Sequence, residues 1–201
     1  ELTPEETKDY LLKVITNCEK KSSEREKLSP SKPYIHGKTI PKTEGGDIDL
    51  GAFVQKITAM PKEILSINSK MAKSSDDDSM SINIGIPALR GLVYDIDKGV
   101  FYIVNTCPGA GSCKVDCFAR GGGKVQFEGP WISDARILTY LLNDPEGFKK
   151  QLISEIDKEN KKYAKQGAKV TIRWHDAGDF FSPEYVDLAA DVAKTFPDTQ
   201  F

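Results

Sequence analysis

The sequence predicts an α/β fold built around a parallel sheet, and two observations support this prediction. In the second half of the chain, segments with the two-residue periodicity of β-strands alternate with capped helical segments, in the order strand, helices, strand, helix, strand. The helical segments are long enough to cross the face of a sheet, which is the connection that parallel strands require. A chain of 201 residues can bury one sizeable core and carry an extension.

Composition and charge restrict the partners and the compartment. Hydrophobic residues make up 39% and charged residues 29% of the sequence, as in an ordinary globular protein, and the formal net charge is −2. This balance gives no indication of a nucleic-acid partner. No apolar run approaches the roughly 20 residues that span a bilayer, and the start has no signal-peptide pattern. We therefore expect a cytoplasmic protein without a membrane partner.

Residues 1–79 are predicted to form a helical and linker extension. Thr3 has the pattern of an N-cap, Pro4 takes the first helical position and Glu6 completes a capping box. Together they predict a helix from Thr3 to about Ser22. The segment that follows is rich in Ser, Pro, Gly and Lys and is predicted to be an irregular arm.

The remainder of the extension has a helical pattern followed by a polar turn. Residues 52–73 are predicted to form two helical pieces that are broken at Pro61. The charged segment 74–79 lacks the ligand spacing and the turn glycine of a calcium loop, so we interpret it as a solvated turn.

Residues 80–201 are predicted to form the first part of an α/β domain. Alternating isoleucines predict a strand at the start of this part, which Pro87 interrupts. Residues 92–96 and 100–104 flank Asp97-Lys98-Gly99, which predicts a β-hairpin.

The second half of this domain alternates helices with strands. Helices are predicted at 133–143, 144–166 and 182–195, with a strand between the last two at 169–174. Residues 199–201 have the pattern of a strand that begins there, so we expect the domain to be incomplete and another polypeptide to complete the sheet.

Three of the four cysteines, Cys107, Cys113 and Cys117, lie within eleven residues of one another, directly after the hairpin. Gly109 and Gly111 allow the backbone between the first two to fold back tightly. Three thiolates at this spacing can converge on one centre, and a cubane cluster held by three thiolates has one iron open to a substrate or cofactor. The spacing therefore predicts a 4Fe–4S cluster on these cysteines.

Two other interpretations of the cysteine loop remain open, a zinc site and no metal. Structural zinc usually has four protein ligands and closely spaced cysteine pairs, and here His175 is the candidate for a fourth ligand.

Cys18 falls on the apolar stripe of the N-terminal helix, so we interpret it as a buried core residue. The glycine-rich run at 121–124 lacks the spacing of a phosphate-binding loop and is interpreted as a flexible loop.

A second group of polar residues, His175 to Asp179, follows the strand predicted at 169–174. The carboxyl ends of parallel strands are where α/β folds bind their ligands, so we predict catalytic roles for His175 and Asp176. The alternative is a structural role, in which Asp176 or Asp179 caps the loop or pairs with Arg173.

The segment Ala177-Gly178-Asp179, at a strand end and before a capped helix, resembles the Gly-Gly-Glu motif of radical S-adenosylmethionine (SAM) enzymes. The resemblance implies a partial (β/α) barrel-like parallel sheet. It also implies that Ala177, Gly178 and Asp179 bind the amino end of SAM, whose amino and carboxylate groups chelate the open iron.

The sequence also resembles the gene-product-eighty-eight-like proteins of phages. One shared feature is a Cys-Pro…Cys…Cys-aromatic-Ala loop, which is present here as Cys107-Pro108, Cys113 and Cys117-Phe118-Ala119. The other is an Arg-Trp-His-Asp-small-Gly-Asp segment at 173–179. The resemblance covers roughly residues 80–201 and implies a phage protein of the host cytoplasm or the virion.

These observations lead to one expectation for the function and two alternatives. We expect an iron–sulfur enzyme of the radical SAM-like type that modifies an unknown substrate. The first alternative is a metal-dependent hydrolase that uses His175, Asp176 and Asp179 around a divalent ion. The second is a non-catalytic phage virion or interaction protein.

Overall fold

A computed structural model gives the fold of the chain. It describes residues 1–28, 39–67, 75, 78–117, 119 and 127–201. Several predictions concern residues outside these ranges: much of the irregular arm, residues 68–73 of the helical pattern at 52–73, part of the turn at 74–79, Phe118 of the cysteine motif and the flexible loop at 121–124.

The described residues form an α/β arrangement, as predicted. The helices are α1 (Pro4–Leu28), α2 (Leu50–Thr58), α3 (Glu128–Asn143), α4 (Pro145–Ala164) and α5 (Pro183–Thr195). The strands are β1 (Leu65–Ser66), β2 (Ser79–Ile84), β3 (Arg90–Asp95), β4 (Val100–Asn105) and β5 (Lys169–Trp174).

One sheet contains a pair of parallel strands, in agreement with the parallel arrangement that the sequence predicts. β2 and β5 run parallel in a register that places Ser79 opposite Lys169 and Ile84 opposite Trp174, and β1 pairs with the other side of β2 in the antiparallel direction. Beyond β5, Gln200 forms a parallel bridge with Thr171. The connection β5–α5–Gln200 is therefore a βαβ crossover.

The second sheet is the hairpin of β3 and β4, which is separate from the first. The hairpin interrupts the succession of parallel strands between β2 and β5. The described strands therefore form two small sheets and no closed barrel, and the barrel-like architecture implied by the radical SAM resemblance is not confirmed.

The helical pattern predicted for residues 52–73 is only partly correct. α2 ends at Thr58, and Leu65–Ser66 is a short strand. The carboxylate of Glu155, on α4, accepts the backbone N–H groups of Ile64 and Leu65 at 2.9 Å each. This contact from a distant helix satisfies two donors of an extended backbone, so tertiary structure overrides the local helical preference.

The N-terminal capping box is confirmed, and α1 extends beyond the predicted end. The backbone N–H of Thr3 donates to Oε2 of Glu6 (2.8 Å), and the N–H of Glu6 donates to Oγ1 of Thr3 (3.2 Å). The helix continues from Ser22 to Leu28. None of the described helices is long and apolar enough to cross a membrane.

Two hydrophobic cores lie on either side of β3. Because side chains alternate across a strand, Leu92 enters one core and Val93 enters the other. The first core lies between the β1–β2–β5 sheet and α4 and α5, and its fully buried members include Ile82, Ile172, Phe148 and Leu152. The second joins α1, α2, the hairpin and α3 through Leu11, Phe53, Phe101 and Ile132.

Candidate functional site

Three chain segments meet where β2, β4 and β5 end. Residues 86–89 follow β2, Thr106 and Cys107 follow β4, and residues 175–179 follow β5. Thr106 is fully buried between the other two segments: its Oγ1 donates to the carbonyl of Pro87 (2.6 Å), and its own carbonyl accepts the N–H of Asp179 (2.9 Å). The fold therefore places the acidic segment beside the start of the cysteine loop.

The contact between the first and third segments depends on Gly178. Its backbone has a φ of +81°, in the left-handed region that side chains disfavour. A Cβ at this position would lie 2.5 Å from Cγ1 of Ile86 and 2.9 Å from the carbonyl oxygen of Pro87. Both the left-handed backbone conformation and the close approach of Ile86 and Pro87 therefore require glycine at this position.

Cys107 is held at the start of its loop by two hydrogen bonds, one to its sulfur and one from its backbone N–H. Its Sγ accepts the N–H of Leu89 at 3.3 Å, and its own N–H donates to Oδ1 of Asn105 at 3.1 Å. Leu89 has a φ of +64°, a conformation that costs about 1 kcal/mol or more for a residue with a side chain. The N–H of Thr106 donates to the Leu89 carbonyl (3.2 Å). Both the backbone N–H and the backbone carbonyl of Leu89 are therefore hydrogen-bonded.

The other two cysteines of the loop differ in their exposure. Cys113 is exposed within a short 3₁₀ turn at Ser112–Lys114, and Cys117 is half-buried. All four cysteines are free thiols. Within the part of the chain that the structure describes, no three His, Cys, Asp or Glu side chains are arranged to hold a metal ion.

The three thiols of the loop are chemically suited to an iron–sulfur cluster, although they do not converge on one point in this structure. Three unbridged thiols on one accessible loop are the donor type that such a cluster requires. A Cβ built at Gly109 or Gly111 would meet no heavy atom within 4 Å, so this part of the loop is not packed against the described chain. Metal binding commonly completes a site that is not preformed.

His175 is buried and faces a helix rather than the cysteine loop. Its Nε2 lies 2.6 Å from Oη of Tyr185 on α5, and the ring of Phe180 packs edge-on against it at 5.0 Å between centroids. Burial raises the pKa of the Tyr185 hydroxyl, so that this group stays protonated at neutral pH. The contact anchors the 175–179 segment to α5.

The remaining residues of the acidic segment differ in their exposure. Asp176 and Ala177 are buried, whereas Asp179 is exposed, and its Oδ1 accepts the N–H of Phe180 at 2.8 Å. Arg173, for which an acidic partner was considered, donates from Nε to the carbonyl of His175 at 3.2 Å. Asp179 is therefore the predicted residue with the most accessible carboxylate.

Two parts of this site, Thr106 and the segment 86–89, were not predicted from the sequence. Thr106 acts through a hydroxyl and a carbonyl that connect the two neighbouring segments. In 86–89, the contacts are made by the Pro87 carbonyl and the Leu89 N–H. The available signal was Pro87 itself, because proline has no backbone N–H to continue a strand and so marks a break after β2.

Cys18 is separate from this loop. It is 1% exposed within α1, as its place on the apolar stripe predicts. Burial, together with the negative charges of Glu128 and Glu19, raises the pKa of its thiol to about 12. Cys18 is consequently a neutral core thiol at physiological pH.

Thiol labelling of the native, metal-free chain is expected to follow this order of exposure. The thiolate is the reactive form, and its population at Cys18 is roughly 1000-fold below that of the same thiol in the unfolded chain. Timed alkylation at pH 8 with peptide mass spectrometry should label Cys113 first and Cys18 last. In urea, all four cysteines should react at similar rates. Equal rates at Cys18 and Cys113 in the native protein would contradict the burial described here.

Comparison with known protein families identifies the family of this chain. The sequence model of the family described as gene product 88 matches residues 62–201, which include the cysteine loop and the segments 86–89 and 175–179. No curated protein and no solved structure matches significantly.

Proposed function

This chain belongs to the phage gene product 88 family, and we propose that it is an iron–sulfur protein with a 4Fe–4S cluster on Cys107, Cys113 and Cys117. The observation that supports this proposal most directly is the position of the cysteine loop. It starts at the carboxyl end of β4, and the Asp179–Thr106 hydrogen bond joins that point to the acidic segment.

The environment of Cys107 is suited to a cluster thiolate. A backbone N–H directed at the sulfur, here from Leu89, stabilises negative charge on it and tunes the cluster it binds. Cys113 and Cys117 are accessible, and the glycines between Cys107 and Cys113 are free of packing contacts within the described chain. We expect the loop to close when the metal binds, with Cys107 as its fixed point.

The proposal extends to SAM as the ligand of the open iron, which follows from the radical SAM resemblance. The cluster would supply the electron for reductive cleavage of SAM. On the protein side, the 177–179 turn would take the amino group of the ligand through the exposed Asp179 carboxylate. The orientation of this turn is fixed by Thr106 and Pro87, because Asp179 donates to the first and Gly178 lies against the second.

Elemental analysis of anaerobically reconstituted protein tests the cluster. We expect about four iron and four sulfide per chain, with the broad visible absorption of a cubane cluster. Zinc without sulfide would instead favour the zinc site or the metal-dependent hydrolase. A colourless chain that takes up no iron would contradict the proposal. Calorimetric titration of the loaded protein with SAM then separates a SAM-binding protein from one that only carries a cluster.

A further inference from the structure

A cavity lies between α1 and α3, beside the segment 86–89 that holds Cys107. Its volume is about 450 Å³, within the range of small-molecule sites. Its described lining comes from one face of α1, from Pro87, Ala88 and Arg90, from Ala119, and from the start of α3. Nothing in the sequence patterns or in the proposed cluster site accounts for this cavity.

Two aromatic rings form its apolar walls. Tyr10 of α1 and Trp131 of α3 are both half-buried, with ring centroids 6.3 Å apart and planes inclined by 42°. Trp131 is supported from behind by Phe53, a fully buried residue whose ring is nearly parallel to it at 6.5 Å. The walls therefore belong to the second core and present a rigid surface to a flat molecule.

The charged groups of the described lining have an excess of positive charge. Lys13 and Arg90 are cations, and Asp134 is the single carboxylate. Neither cation forms an ion pair with a carboxylate of the described residues. Arg90 is close enough to Tyr10 for its charge to oppose the rise that burial causes in the pKa of the Tyr10 hydroxyl. A cation beside an aromatic wall is a suitable contact for an anionic group on an aromatic ring.

The cavity and the cysteine loop share a wall. Pro87 and Ala88 line the cavity, and the Pro87 carbonyl accepts the hydroxyl of Thr106. The next residue, Leu89, donates its N–H to Cys107. A molecule in the cavity therefore contacts the segment that fixes the first cysteine.

We propose that this cavity binds a small, flat aromatic molecule that carries an anionic group, with its ring packed against the wall that Tyr10 and Trp131 form and the anion at Arg90 and Lys13. Binding itself does not require the cluster. The proposal deepens the proposed function by naming a substrate class, and it rests on that function only for the claim that the ligand is a substrate.

Binding of three nitroaromatic probes to the cluster-free, full-length chain tests this proposal. The probes are 4-nitrobenzoate, 4-nitrophenyl phosphate and neutral 4-nitrobenzamide, and the readouts are titration calorimetry and quenching of tryptophan fluorescence. We expect at least one of the two anions to bind about tenfold more tightly than the amide, which corresponds to about 1.4 kcal/mol. The stronger of the two anions identifies the preferred anionic group, a carboxylate or a phosphate.

Matched charge variants assign the binding to this cavity. Arg90→Gln is expected to weaken anion binding about tenfold and to leave amide binding unchanged, and Lys13→Gln is a second variant on a different element. Lys158→Gln removes an exposed cation from α4, far from the lining, and should change neither. Equal binding of all three probes, no binding at millimolar concentration, or unchanged affinity in both variants would overturn the proposal. Because the chain carries no cluster in this experiment, such a failure is separate from a failure to load iron.

Discussion

Replacing Cys113 with Ser is expected to lower the iron and sulfide of the reconstituted protein from about four of each per chain to well below one. The serine hydroxyl stays protonated at neutral pH and is a poor ligand for the cluster irons, and two thiolates do not hold a cubane. Cys113 is exposed, so the substitution removes a sulfur ligand without opening a cavity in either core. Colorimetric iron and sulfide assays and the visible spectrum measure the effect. Cys107→Ser and Cys117→Ser should give the same loss.

Cys18→Ala is the control for this series because it removes a thiol that the structure places in the core. The variant should load as much iron as the natural chain, and its cost should appear in stability instead, at about 1 kcal/mol for a lost buried sulfur. If Cys18→Ala lost its iron while Cys113→Ser retained it, the cluster would have a different ligand set from the one proposed.

The parts of the fold that the sequence predicted are those that neighbouring residues determine. The Thr3–Glu6 capping box lies within one turn of a helix, and the hairpin of β3 and β4 turns at Gly99, whose φ of +69° is the conformation that glycine permits. The presence of parallel strands followed from the alternation of strands with helices, although that alternation did not identify β2 as the partner of β5. Each of these features is encoded by spacing or by residue type.

The features that were missed depend on contacts between distant residues. Leu65–Ser66 pairs as a strand because Glu155, about 90 positions later, accepts the N–H groups that precede and begin it. The barrel-like expectation failed to anticipate that the hairpin forms its own sheet, with Leu92 and Val93 buried in different cores. Hydrophobic periodicity reports that a strand is buried, but not which partner covers each face.

For a related reason, only some of the groups that form the candidate site could be predicted from the sequence. Cysteines, His175 and the acidic residues carry distinctive side chains, so their clusters could be found in the sequence. The groups that position them are backbone atoms, namely the Leu89 N–H and the carbonyls of Pro87 and Thr106. Any residue type carries such a carbonyl, and a φ of +64° at a leucine is one that its side chain opposes. Only tertiary structure reveals them.

Gly178→Ala is expected to destabilise the chain by about 2–4 kcal/mol and to reduce iron loading as well. The new methyl group would lie 2.5 Å from Cγ1 of Ile86 and 2.9 Å from the Pro87 carbonyl oxygen, and the φ of +81° adds the strain of a left-handed alanine. The turn must then move away from Pro87, which breaks the Asp179–Thr106 hydrogen bond beside Cys107. Urea denaturation and the iron assay measure the two effects.

Gly167→Ala separates the two causes, because Gly167 has nearly the same backbone conformation without the close approach. Its φ is +78°, and a Cβ there would meet no heavy atom within 4 Å, so we expect only the conformational cost of about 1 kcal/mol and full iron loading. Combining Gly178→Ala with Ile86→Ala should recover part of the clash energy, which a double-mutant cycle would report as coupling between the two positions. If Gly178→Ala and Gly167→Ala lowered the free energy of unfolding equally, the segments after β2 and β5 would not be in contact. The contact that holds the acidic turn beside Cys107 would then be wrong.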